Sequence, residues 1–239
     1  MPPLACRLAA PAAVQHSGYV QTAVPLRRLA AALTFTAALC ATLVAAGCAP
    51  GTTPSAGTSA STGASQARSQ LDGLTVATAH SMAGYSRDRF PHWSAQGGGC
   101  DTREFVLKRD GRDVKTDANC HVTSGTWVSL YDDRTVTDAA TLDVDHMVPL
   151  ADAWRSGADG WTDATREQFA NDLDRPQLLA VTASANRAKG DQDPSTWKPP
   201  SHAYWCTYAE RWIAVKAYWK LAATTAEKTA LVEMLATCT

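Results

Sequence analysis

The residues best placed to do chemistry are Asp143-Val144-Asp145-His146-Met147-Val148-Pro149, followed forty residues after the imidazole by Asn186-Arg187-Ala188-Lys189-Gly190-Asp191. A carboxylate beside an imidazole, joined by a distant carboxamide on an expected helix, can hold a hard divalent cation and activate a water next to it. That combination suits phosphodiester hydrolysis. The bland alternative is a buried Asp-His hydrogen bond with no metal. Around this centre, Lys189 lies three residues beyond Asn186, near the same helical face, and with Arg187 it is a candidate for touching a phosphate. Arg103 is the candidate for a remote phosphate clamp, because a guanidinium fork matches phosphate in a bidentate way. An ordinary salt bridge to a neighbouring carboxylate is its competing role. Asp143 shares a strand face with Asp145 and is a candidate third ligand or supporting group. His80, His92, His121 and His202 are read as surface or core residues, and Trp127, Trp154, Trp197, Trp205, Trp212 and Trp219 mainly as core.

The elements that must position these groups follow from pattern. Leu142 and Val144 alternate with Asp143 and Asp145, which predicts a strand over 141–145 with both carboxylates on one face. Residues 119–123 and 126–131 read as two β-rich runs around a tight turn at Ser124-Gly125. Short helices are expected over 71–79, 102–110, 150–155 and 163–171, with Thr102 and either Asp163 or Thr162 as caps. An apolar run over 178–181 leads into a helix over 182–189 closed by Gly190. Two further helices, over 203–220 and 225–236, should bury a stripe containing Trp212, Val215 and Trp219. The sum is an α+β class domain, helix-rich, with a small antiparallel sheet and no internal repeat.

Composition sets the outer limits. Arg27-Arg28, an apolar stretch over 29–46, and Ala45-Ala46-Gly47-Cys48 describe a secretory signal peptide over 1–48. Small residues directly before Cys48 resemble a bacterial lipobox, so lipidation of Cys48 and an anchor on the outer face of the cell membrane are expected. Residues 49–70 are nearly all Gly, Ala, Ser, Thr and Pro and are expected to form a flexible tether. That leaves 71–239 as one domain. Beyond position 48 the chain carries 19 Lys and Arg against 23 Asp and Glu, a balance of −4 that does not announce a nucleic-acid binder. Phosphate affinity must then come from a local cluster and a bound cation. Of the seven cysteines, Cys100, Cys120, Cys206 and Cys238 remain in the exported domain. Pairing sequence neighbours gives Cys100–Cys120 and Cys206–Cys238, one of three possible connectivities. No Cys-x-x-Cys is present, which argues against a four-cysteine zinc site.

The segments Leu142-Asp143-Val144-Asp145-His146 and Leu178-Leu179-Ala180-Val181-Thr182-Ala183-Ser184-Ala185-Asn186-Arg187-Ala188-Lys189 resemble the secreted bacterial HNH endonuclease family, which has the ββα-metal fold. Gly99-Cys100-Asp101-Thr102-Arg103, Val106-Leu107-Lys108-Arg109-Asp110, Phe169-Ala170-Asn171-Asp172 and Trp197-Lys198-Pro199-Pro200 extend the likeness over residues 80–238. The resemblance implies that His146 is a general base and that Asp145 and Asn186 hold a divalent metal ion, with Mg²⁺ expected and Mn²⁺ as a substitute. It implies a nucleic acid substrate, DNA or RNA, cut with low sequence specificity to leave 5′-phosphate and 3′-hydroxyl ends. The middle Asn of the pattern falls on Gln177, whose amide is expected to orient the His146 ring, with Asn171 as the other candidate. A monomer that meets the membrane only through its lipid is expected. The rival expectation is a catalytically silent envelope lipoprotein that binds nucleic acid or a protein partner.

Overall fold

A computed structural model of the chain describes residues 58–239, with side chains from 62 onward. The signal peptide and Cys48 lie outside the described residues. Helix α1 (Thr58–Gly73) comes first. It runs through most of the stretch expected to be a flexible tether, and it does so for a packing reason. Ala64, Ala67, Leu71 and Leu74 recur every three or four residues and are buried against the C-terminal helices, while Arg68 Nη2 donates to Leu235 O at 2.8 Å. The helix expected over 71–79 is replaced by the end of α1 and an extended segment in which Val76 bridges Ala223.

A two-stranded ribbon of β1 (Ala95–Gly97) and β2 (Cys100–Asp101) leads into α2 (Thr102–Asp110), whose cap is the Asp101 side chain accepting from Glu104 N at 2.8 Å. Then β3 (Arg112–Thr116), β4 (Val122–Ser129) and β5 (Arg134–Val136) form an antiparallel sheet in that order. Ser124-Gly125 is therefore not a turn but the middle of β4. Glycine is required there by close approach: a Cβ on Gly125 would lie 2.6 Å from the Trp127 ring.

The element that matters most is the hairpin of β6 (Leu142–His146) and β7 (Leu178–Thr182), antiparallel with Asp145 opposite Leu179 and His146 opposite Leu178. Helices α3 (Leu150–Arg155) and α4 (Asp163–Ala170) fill the connection between the two strands, with Thr162 capping α4. Immediately after β7, Thr182 caps α5 (Ala183–Lys189), which ends at Gly190 with φ 56°. A strand pair followed by a helix is thus the frame that carries Asp145, His146 and Asn186. Helices α6 (Trp205–Trp219) and α7 (Thr225–Leu235), the latter with a Thr224–Glu227 capping box, close the domain.

Two apolar clusters flank the hairpin. Leu179 and Val181 join the larger one with Phe169, Tyr208, Trp212 and Ile213, while Leu142, Val144, Leu178 and Ala180 join Val106, Leu107 and Trp127. The alternation read from sequence is borne out, since Asp143 and Asp145 pair across to Val181 and Leu179 and so share their face. Both expected disulfides are present: Cys100–Cys120 ties the start of α2 to the loop before β4, and Cys206–Cys238 joins α6 to the chain beyond α7. The class is α+β, as the pattern of elements indicated. Among the described residues no helix is long and apolar enough to cross a membrane.

Candidate active site

Asp145, His146 and Asn186 line one cavity of about 300 Å³, together with Tyr85, Arg87 and Arg187. Hence the three groups read from separate stretches of sequence do meet. Each is held differently.

His146 ends β6 with its side chain buried. Its Nε2 lies 2.9 Å from Ala170 O, the last carbonyl of α4, which has no partner within its helix. A carbonyl only accepts, so the ring proton sits on Nε2 and Nδ1 keeps its lone pair. Trp93 stacks on the imidazole at 5.7 Å and 25° between planes, and His92 meets it edge-on at 6.3 Å. Burial pulls the imidazole down to about 3, against the support of the Ala170 carbonyl and with further lowering from the positive charge of Arg87. His146 is therefore neutral at any ordinary pH. Trp93 reaches this position from a left-handed backbone, φ 64°, a conformation that costs of order 1 kcal/mol or more for a bulky residue. Asn171 holds that loop in place, accepting from Ser94 N at 2.9 Å and Thr102 Oγ1 at 2.8 Å and donating to Pro91 O at 2.9 Å.

Asp145 accepts two bonds on one oxygen: Oδ2 lies 2.6 Å from Lys189 Nζ and 2.5 Å from the Tyr131 hydroxyl. Burial raises this carboxyl and lowers the Lys189 ammonium, and their mutual contact opposes both effects. Lys189 also donates to His146 O at 2.8 Å and lies 5.9 Å from the ring centres of Tyr131 and Trp212, contacts that favour the ammonium against the cost of its burial. Asn186 donates its Nδ2 to Asp143 Oδ2 at 3.1 Å, which turns its amide oxygen away from that carboxylate. Asp145 Oδ1 and Asn186 Oδ1 are thus the oxygens left over, a hard donor set of the kind Mg²⁺ accepts when water completes its shell. The other cluster among the described residues with metal-like spacing, Cys206, Glu210 and Cys238, has both sulfurs in a disulfide and offers no thiolate.

Several expected roles change. Gln177 does not hold the His146 ring. Its Oε1 accepts from Val148 N at 3.1 Å, its Nε2 donates to Val148 O at 2.9 Å, and its own carbonyl accepts from Met147 N at 2.6 Å, so it clamps the turn that leaves β6. The longer side chain reaches the backbone past the imidazole, and the Ala170 carbonyl supplies the orienting contact. Lys189 is fully buried and closed to any phosphate, because its position on α5 points it at β6 and Asp145. Arg103 does not line the cavity; its fork is used on Glu104 at 2.8 Å and Ala139 O at 3.5 Å, the salt-bridge alternative. Arg187 does line it, with its side chain 78% exposed and Nε 4.0 Å from Asp143. His92 was read as a bystander and stands against His146. Sequence reasoning missed Arg87, Trp93 and Tyr131; the signal for the first two was the density of Tyr, Arg, His and Trp over residues 85–93, and Tyr131 carried none.

A family model described as GmrSD restriction endonucleases, C-terminal domain, matches residues 101–234. The chain belongs to that family. The GmrSD C-terminal domain match takes in Asp145, His146, Asn186 and all elements from α2 to α6, whereas Arg87, His92 and Trp93 precede it. An uncharacterized secreted protein of the fungus Arthroderma benhamiae is 55% identical over 171 residues, covering 72% of this chain and 84% of the relative. No solved structure matches the chain.

Proposed function

We propose that this GmrSD-family chain is an exported, metal-dependent endonuclease of the HNH type that hydrolyses phosphodiester bonds of DNA or RNA with low sequence specificity. One observation carries the reading: a strand pair followed by a helix brings His146, Asp145 and Asn186 to the wall of a single cavity with Arg87 and Arg187, the imidazole holding its Nε2 on Ala170 O and the carboxamide its Nδ2 on Asp143. The secreted relative and the apolar leader support export, with Cys48 as the lipid anchor.

Asp145 and Asn186 would hold the divalent cation, Mg²⁺ or Mn²⁺, which when bound supplies positive charge against the phosphate oxygens. The protein's own part is proton management and positioning. His146 Nδ1 takes a proton from a water as the water oxygen bonds to phosphorus. The bond from phosphorus to the 3′ oxygen breaks, that oxygen takes a proton from solvent, and the products are a 3′-hydroxyl and a 5′-phosphate. Ala170 O holds the ring in the tautomer this step needs, and Trp93 keeps bulk water off its face. Lys189 and Tyr131 fix the angle of Asp145, as Asp143 fixes Asn186. Arg187 and Arg87 supply charge to the phosphate. Among the described residues, the cavity is not flanked by a projecting helix or ribbon suited to reading base edges, which supports low specificity.

The silent-binder reading draws support from one feature, the ammonium already on Asp145. A plasmid-nicking assay separates the two. The parent chain should convert supercoiled plasmid to nicked circles in Mg²⁺, with loss of cutting in EDTA and a fall of at least a hundredfold in His146→Ala. Equal cutting by parent and variant, or none by either, overturns the nuclease reading.

A further inference from the structure

Six arginines of the domain, Arg89, Arg103, Arg109, Arg155, Arg166 and Arg175, are paired with carboxylates. Arg87 and Arg134 are exposed and, among the described residues, make no ion pair; nor do Arg68, Arg112 and Arg211, of which Arg112 and Arg211 line a separate cavity. Arg187 reaches a carboxylate only at 4.0 Å. Arg87, Arg134 and Arg187 are not scattered. Arg87 and Arg187 line the cavity that holds His146, and Arg187 also lines a second cavity of about 440 Å³, whose wall includes Arg134, Thr141, Thr182 and Ser184. Arg187 is therefore common to the walls of both spaces. In a chain whose exported part is net acidic, Arg87, Arg187 and Arg134 bring positive charge to the walls of two cavities that share Arg187.

Resting on the nuclease reading above, we propose that the second cavity seats the backbone phosphate next to the one being cut, on Arg134 and the hydroxyl of Ser184; the Thr141 hydroxyl beside them is already given to Asp138 O at 2.8 Å. A polynucleotide then runs from Arg87, past Asn186 and over Arg187, to Arg134. The second cavity presents no aromatic ring and no Asn or Gln to a base. It recognises the sugar-phosphate backbone, which matches a low sequence preference. Each phosphate neutralised by an arginine releases counterion, so each such contact leaves its mark on the salt dependence of binding.

The test is fluorescence anisotropy of a labelled 20-mer, single- and double-stranded, with the full chain carrying His146→Ala so that nothing is cut. Adding Arg134→Glu should weaken binding at least tenfold at 0.1 M salt and reduce the slope of log affinity against log salt by about one. Arg134→Lys should stay within about threefold, because a charge is kept. The exposed Lys220→Glu, outside both cavities, is the control for net charge. If Arg134→Glu matches Lys220→Glu in affinity and slope, the path is wrong, whether or not the parent cuts plasmid. If Arg134 governs binding but the parent never cuts, the path stands and the nuclease reading falls alone. If no form binds the oligonucleotide, the path falls.

Discussion

The imidazole of His146 is where burial has its sharpest consequence. Its folded pKa of about 3 lies below the ordinary value near 6.5, so in mild acid the resting native ring stays neutral where the unfolded chain takes up a proton. The stability tied to this residue is complete above about pH 6.5 and is lost as pH falls from there toward 3. At pH 4.5 this is a loss of about 3 kcal/mol, with the gain in protons all in the unfolded state. Thermal unfolding in EDTA should therefore show the parent losing several degrees between pH 7 and 4.5, and His146→Gln losing visibly less; equal losses would count against a buried neutral ring. Lys189 makes the complementary prediction. Lys189→Met strands the Asp145 carboxylate without its ammonium and should cost about 3–5 kcal/mol in urea unfolding, with Asp145→Asn in the same chain recovering much of it. A loss under 1 kcal/mol would show that the pair is not the one described. At this scale the sequence was legible where chemistry is local: Asp145, His146 and Asn186 could be read from residue type and spacing. Gln177 and Lys189 could not, because what a long side chain touches depends on which element lies over it, and α5 packs Lys189 down onto β6 rather than out to solvent.

Periodicity did well for the elements with a strong one-sided pattern. The strand over 141–145, the helices near 102–110 and 163–171, and the last two helices appear within a few residues of their expected ends. The failures have separate physical causes. Composition suggested that 49–70 could not repay its ordering entropy, yet over its described part, from 58 onward, Ala64 and Ala67 continue the buried spacing of Leu71 and Leu74, and packing on α6 and α7 holds the helix. Leu71 is the anchor of that contact, 2% exposed, so Leu71→Ala should lower the unfolding free energy by about 2–5 kcal/mol. A change below 0.5 kcal/mol would restore the tether. Ser124-Gly125 looked like a turn because glycine permits one, whereas the residue is selected for the Trp127 ring lying against it. The loop carrying His92 and Trp93 had no periodicity to read. It is held by Asn171 from eighty residues away, a distance over which pattern says nothing.

For the molecule as a whole, the proposed path divides the work between the acidic balance and the cavities: the bulk charge would discourage tight non-specific association, while Arg87, Arg187 and Arg134 would concentrate attraction at the cavity walls. The cystine cross-links add a constraint of timing. Cys100–Cys120 and Cys206–Cys238 close loops of 20 and 32 residues, each worth about 3 kcal/mol, together a sizeable part of the 5–15 kcal/mol that a domain commands. Thiols stay reduced in a glutathione-buffered cytosol, so a nascent or mislocalised copy lacks both staples and spends more of its time unfolded. Such a copy is a poor hazard to the genome of the cell that makes it. Produced from residue 49 onward in bacteria, the chain should be tolerated in an ordinary cytosol and should trigger chromosome breakage in a strain whose cytosol is oxidising; equal toxicity in both would mean that self-protection comes from elsewhere.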